Sequence, residues 1–143
     1  MRNVVHELWT RQQTKVRFVL VGIWNTLFGY LVFVACDFLF ERFVSPRYVA
    51  YMSAAVISNM LAILNAFLFH KRITFRSTVR GKAVWIEFVR FFSMYVFSMV
   101  LGLFMLPFFV EVFGIAPRIS AALLIPITTV ISYIGHSRFS FRT

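Results

Sequence analysis

Four arginines stand where apolar stretches of the chain meet polar ones: Arg17, Arg72, Arg90 and Arg138. A guanidinium group makes paired, charge-assisted hydrogen bonds to phosphate oxygens. Asn25, Thr26 and Asn65 lie inside the adjoining apolar stretches, where polar groups are costly and often functional. Ser58, Asn59, Ser93, Tyr95, Ser98, Thr128, Thr129, Ser132 and Tyr133 extend the set. Ser58, Asn65 and Arg72 are seven residues apart and trace one face of a helix. The pattern is a polar lining ringed by arginines, suited to a lipid phosphate whose tail stays in the bilayer. A plainer role fits the same residues. Arginines at helix ends anchor a membrane protein at the interface, and Asn25 and Asn65 can simply hydrogen-bond between helices.

Other chemistry is poorly supplied. There is no Ser/His/Asp arrangement and no glycine-rich phosphate loop after a strand, so an enzyme acting alone is not expected. The three histidines, His6, His70 and His136, are scattered and give no metal-ligand spacing. The single cysteine, Cys36, excludes an intramolecular disulfide. No cofactor is expected.

The elements that must position these residues are membrane helices. Of 143 residues, 60% are hydrophobic and 14% charged, and mean hydropathy is +0.80, against about 45–50% and about 25% in a soluble domain. The expected fold is all-α and integral to the membrane, a single domain over residues 1–143. Four spans are expected at roughly 18–40, 48–69, 88–113 and 118–135, from the need for about 20 apolar residues per crossing. Pro107 and Pro126 are expected to kink the third and fourth, while Pro46 and Pro117 stand just before the second and fourth, where proline is favourable. Residues 1–16 carry a sparse apolar stripe, Val5, Trp9 and Val16 with Val4 and Leu8 beside it, which suits a short helix on the membrane surface. No signal peptide is expected, because the first apolar stretch is too long and lacks a cleavage site. Tyr48, Tyr51, Phe75 and Trp85 are expected in the interfacial aromatic belt. Asp37, late in the first span, reads most simply as a solvated helix end, with Arg42 or Arg47 as the alternative partner.

Charge sets the orientation. Twelve Lys and Arg residues fall at the N-terminus, the 70–90 loop with its flanks, and the C-terminus, against Arg42, Arg47 and Arg118 on the other side. Both termini are therefore expected in the cytoplasm. Glu7 and Glu87 lie on the basic side and Asp37, Glu41 and Glu111 on the other, so net charge is +10 inside and zero outside. The +10 does not point to nucleic acid, because it sits at the ends of apolar segments. The chain also repeats. His70, Arg72, Phe75 and Arg76 recur as His136, Arg138, Phe141 and Arg142 at an offset of 66, and Arg17, Phe18 and Gly29 recur as Arg90, Phe91 and Gly102 at an offset of 73. Two parallel two-helix repeats are expected, unlike the inverted repeats of many transporters.

Two motifs resemble the GtrA-like family of small bacterial membrane proteins. Arg17-Phe18-Val19-Leu20-Val21-Gly22-Ile23-Trp24-Asn25-Thr26 resembles the family's opening pattern of Arg/Lys-Phe, an apolar run, Val-Gly, two residues and Asn-Thr. Phe67-Leu68-Phe69-His70-Lys71-Arg72-Ile73-Thr74-Phe75 resembles the family's end of the second helix, and residues 133–141 resemble it again. His70 stands where the pattern has Asn, and Ile73 where it has an aromatic residue. The resemblance covers about residues 15–143. It implies translocation of a polyprenyl-phosphate-linked sugar, such as undecaprenyl-phosphate glucose, from the inner to the outer leaflet of the bacterial cytoplasmic membrane. It also implies a partner glycosyltransferase that makes the substrate on the cytoplasmic side.

On this reading Arg17, Arg72, Arg90 and Arg138 hold the phosphate, and Asn25, Thr26 and Asn65 contact phosphate or sugar. Four helices enclose little space, so a homo-oligomer is expected. Two other functions compete. A non-transporting anchor would bind a glycosyltransferase through the basic 70–90 loop with Val84, Trp85 and Phe88. A small multidrug-type exporter would need a carboxylate in the membrane core, and no Asp or Glu occurs between Thr10 and Cys36 or between Arg42 and Lys71.

Overall fold

The computed structural model describes the backbone of residues 2–139 and the side chains of Glu7 and residues 9–130. The described chain is all helical: α1 (Arg2–Phe43), α2 (Arg47–Phe69), α3 (Ala83–Pro107) and α4 (Pro117–Phe139). A wider π turn prolongs α2 over His70–Thr74, and another prolongs α3 over Phe108–Val112. Three stretches are long and apolar enough to cross a membrane, Trp9–Phe43, Arg47–Thr74 and Ala83–Val112, and Pro117–Val130 is a shorter apolar stretch within α4. The four spans expected from hydropathy thus fall on the four helices, the fourth less strongly than the others.

Two local expectations change. Residues 1–16 do not form a separate surface helix, because α1 runs unbroken from Arg2 to Phe43. At 1.5 Å per residue its 42 residues reach about 63 Å, twice the thickness of the hydrocarbon core. No Gly or Pro interrupts residues 9–21, and the hydroxyls of Thr10 and Thr14 donate to the carbonyls of Glu7 and Thr10, so nothing in the sequence breaks the axis. Pro107, expected to kink the third span, is the last residue of α3. The ladder loosens into the π turn that begins at Phe108, which accommodates a residue that lacks its backbone donor. Pro117 is itself the first residue of α4, and Pro46 caps α2.

The helices pack in chain order around a ring. α1 lies against α2, α2 against α3, α3 against α4, and α4 closes back on α1. α2 is the best buried. Ala50, Tyr51, Ala54, Ala55, Ser58, Ile63, Ala66 and Phe67 are all enclosed. Four of these are alanine, which suits helices that associate by close packing rather than by escape from water. The large apolar side chains left outside, such as Met94, Phe97 and Phe104 on α3, form the surface offered to lipid.

The tightest approach is between α1 and α2. A Cβ added at Gly29 would sit 3.1 Å from the Cβ of Ala62. Gly29→Val is therefore expected to cost about 1–3 kcal/mol through overpacking, with part of the loss recovered by Ala62→Gly in the same chain. Thermal unfolding in detergent measures both; a Gly29→Val melt identical to that of the unsubstituted protein would contradict this packing.

Candidate functional site

The four helices line a partly open cavity of about 280 Å³, with Thr26 at its exposed edge. Every helix contributes to its wall. α1 supplies Asn25, Thr26, Gly29, Tyr30 and Phe33; α2 supplies Ala55, Ser58, Asn59, Ala62 and Ile63. α3 supplies Tyr95, Ser98, Met99, Gly102 and Leu106, and α4 supplies Ala121, Leu124, Ile125 and Thr128. None of these side chains is charged.

Hydrogen-bond bookkeeping shows what the wall can offer. Thr26 Oγ1 donates to the Gly22 carbonyl at 2.9 Å, Ser58 Oγ to Ala55 at 3.0 Å and Thr128 Oγ1 to Leu124 at 2.8 Å. Asn59 Nδ2 donates to the Ala55 carbonyl at 2.8 Å. These hydroxyls have committed their single proton to the helix backbone and keep lone pairs for an incoming donor. Asn65 Nδ2 donates to Asn25 Oδ1 at 3.0 Å. Asn25 thus accepts from Asn65 and can turn its own amide N–H toward a ligand. A neutral ligand rich in hydroxyls matches this arrangement of acceptors, one amide and the Tyr30 and Tyr95 rings.

The residues expected at the site divide into two groups. Asn25 and Thr26 line the cavity, and Asn65 sits directly behind Asn25 as its interhelical partner. Among the described arginines, none lines the cavity. Arg17 is half-buried, 3.5 Å from Gln13 Oε1, and Arg72 and Arg90 are exposed. Arg17 precedes Asn25 by eight residues, about 12 Å of helix, and Arg90 precedes Tyr95 by five, about 7.5 Å. The arginines therefore stand at one end of the bundle and the polar wall lies deeper. The Arg138 side chain lies outside the described residues, as do those of Ser132 and Tyr133 and the second copy of the basic repeat. Ser93 and Thr129 are exposed and bonded to the carbonyls of Arg90 and Ile125, away from the cavity.

The face drawn through Ser58, Asn65 and Arg72 does not hold to its end. Ser58 is buried, Asn65 half-buried and Arg72 exposed. Seven residues fall short of two turns by about 20°, and the π turn at 70–74 shifts the chain further. The residues carried inward are His70 and Thr74. His70 Nδ1 lies 2.9 Å from Thr74 Oγ1, and its ring is packed 4.9 Å from Phe18 and 5.8 Å from Phe91. His70 is thus a satisfied packing residue beside α1 and α3, not a ligand group of the cavity. Lys71 bridges Ser77 and Glu87, tying the π turn to the start of α3.

The opposite end of the bundle holds a second polar construction. Asp37, expected as a solvated helix end, is fully buried. Its two oxygens receive Arg47 Nη1 at 2.6 Å and Nη2 at 2.7 Å. Arg118 Nε lies 3.1 Å from Asp37 Oδ2, and Arg118 Nη2 lies 2.7 Å from Glu41 Oε1. Tyr30 donates to the Arg118 carbonyl at 3.1 Å. Tyr51, expected in the interfacial belt, is also fully enclosed and donates to Glu111 Oε1 at 2.7 Å. Arg42 takes no part and stacks over Phe38 at 4.3 Å. Tyr48, Phe75 and Trp85 are exposed, as belt residues should be. The sequence held two signals of this network, the balance of three acids and three arginines on that side and Arg47 as the alternative partner of Asp37.

The family model described as GtrA/DPMS, transmembrane domain, matches residues 17–141. No curated protein and no solved structure matches the chain significantly.

Proposed function

The chain belongs to the GtrA/DPMS transmembrane-domain family, and from that premise we propose that it moves a polyprenyl-phosphate-linked monosaccharide across the membrane. The observation that carries this reading is an uncharged cavity at the centre of a membrane bundle, mostly apolar, with the hydroxyl and amide groups of Asn25, Thr26, Ser58, Asn59 and Thr128 in its wall. Its 280 Å³ lies just below the about 300–1,000 Å³ usual for small-molecule sites, room for one sugar and not for an oligosaccharide. The sugar occupies the cavity against Asn25, Thr26, Asn59 and Thr128. On loading, the phosphate sits at the arginine end with Arg17, Arg72, Arg90 and Arg138 before it follows the sugar across, and the polyprenyl chain remains in lipid between the helices. No protein group is asked to do covalent chemistry, so the role is transport and not catalysis.

In this reading the arginine end faces the bacterial cytoplasm, where a glycosyltransferase delivers the substrate. The absence of a carboxylate from the cavity wall among the described residues speaks against an exporter of cations. One chain already lines a cavity from all four helices, so a homo-oligomer is not needed to build the site. The exposed aromatic residues Phe75 and Trp85 beside the basic loop favour a second reading, in which the chain only anchors the glycosyltransferase.

Native mass spectrometry of the protein extracted with its lipids separates these readings. A bound polyprenyl-phosphate sugar is expected, at one per bundle, and the same spectrum gives the oligomeric state. Arg72→Ala together with Arg138→Ala is expected to reduce the bound fraction at least about tenfold, since each removes a charge-assisted contact to phosphate. Phospholipid alone, even after incubation with synthetic polyprenyl-phosphate sugars, would leave the anchor as the better account.

A further inference from the structure

We infer that the ion network of Asp37, Glu41, Arg47 and Arg118 is a closure that shuts the cavity at the end opposite the arginine rim, and that it opens for the head group to leave. The inference rests on the transport reading above and adds how the site is gated.

Three observations carry it. First, the network and its neighbour bind all four helices at one end. Asp37 and Glu41 belong to α1, Arg47 to α2 and Arg118 to α4, while the bond from Tyr51 to Glu111 holds α2 to the turn that ends α3. Second, a packed layer separates this network from the cavity. Phe33, Leu106 and Leu124 form both the buried core cluster and the far wall of the cavity. Third, the tie is ionic inside a membrane protein, where a buried carboxylate is costly and by default functional.

An ion network suits a closure that must break and re-form. Desolvation offsets much of the Coulombic gain of a buried pair, so the closed state is specified without being held irreversibly. The two arginines and two carboxylates sum to zero, so the closed network places no net charge at this end of the bundle. Arg47 and Arg118 are each about one-third exposed, with side-chain values of 39% and 33%. They can swing outward to water on their long stems, whereas Asp37 reaches water only when α1 parts from α2 and α4. Asp37 is therefore the keystone.

Asp37→Asn tests this with little side effect, because it removes the buried charge and leaves two arginines that can hydrate. Ser58 is buried in the cavity wall. Ser58→Cys in a Cys36→Ser background gives a reporter for a charged, membrane-impermeant methanethiosulfonate added from either side of sealed vesicles. With the closure intact, labelling is expected from the Arg72 end and not from the Arg47 end. Asp37→Asn is expected to raise labelling from the Arg47 end at least about tenfold, in line with loss of a paired buried charge, with labelling from the Arg72 end unchanged. Tyr51→Phe, which deletes one hydroxyl, is expected to give a smaller rise in the same direction and decides the matter if Asp37→Asn does not fold. No rise in either variant, or an equal rise from both ends, would overturn the closure. The readout needs no lipid substrate. Gated labelling in a protein that binds no polyprenyl-phosphate sugar would therefore refute the substrate and not the gate.

Discussion

Arg47→Ala is expected to lower the unfolding free energy of the detergent-solubilised protein by about 2–4 kcal/mol, the largest effect of any single truncation outside the apolar core. The reason lies in the asymmetry of the pair. Arg47 is partly exposed, but the carboxylate it holds through two short bonds is fully buried. Truncating the arginine strands that carboxylate, and an unpaired buried charge is far more expensive than the net worth of the pair. Arg118 still reaches Asp37 at 3.1 Å, which keeps the cost below that of an isolated charge. Asp37→Asn is expected to cost less than about 2 kcal/mol, since it removes the charge instead of abandoning it. Thermal unfolding of the two variants side by side measures the order. A smaller loss for Arg47→Ala than for Asp37→Asn would contradict the burial of Asp37.

Gly102→Trp is expected to abolish transport while leaving the bundle folded. Gly102 borders the cavity, and a Cβ built there meets no atom within 4 Å. An indole at that position takes a large share of the 280 Å³ that the sugar would occupy, and two bulky groups cannot share a site of that size. Transport is expected to fall at least about tenfold, the kinetic equivalent of 1.4 kcal/mol or more. Gly22 supplies the control. A Cβ there is also unobstructed, but Gly22 is not part of the cavity wall. Gly22→Trp is expected to keep transport within about twofold, as for substitutions away from packed or functional groups. Equal losses in the two variants would mean that the cavity is not the path.

Much of this site was legible in the residues themselves. Asn25, Thr26, Ser58, Asn59, Tyr95, Ser98 and Thr128 are polar groups inside long apolar runs, and all seven line the cavity. Hydrocarbon makes such groups conspicuous, because each needs a partner. The starts of α2 and α4 were legible for the same reason, helped by Pro46 and Pro117. What was not legible depends on contacts distant in sequence or on a break in periodicity. Asp37 meets Arg118 across 81 residues, and nothing local marks either as buried. Tyr51 resembles a belt tyrosine until Glu111 is found opposite its hydroxyl. His70 continues the buried face of Ala66 and Phe67 into the π turn at His70–Thr74, packed beside Phe18 and Phe91, while Arg72 stays exposed. The unbroken α1 was hidden because the polar composition of residues 1–16 reports water contact but not the direction of the axis.

Reconstitution gives the most direct test of the central claim. Labelled polyprenyl-phosphate glucose is placed in both leaflets of sealed liposomes, and an impermeant reagent that attacks only the sugar is added outside. Protein-free liposomes are expected to lose the outer-leaflet label alone. Liposomes containing the protein are expected to lose nearly all of it, at a rate that Gly102→Trp returns to the protein-free value. Retention of the inner-leaflet label in the presence of folded protein, shown to be folded by rim-side labelling of Ser58→Cys, would contradict transport.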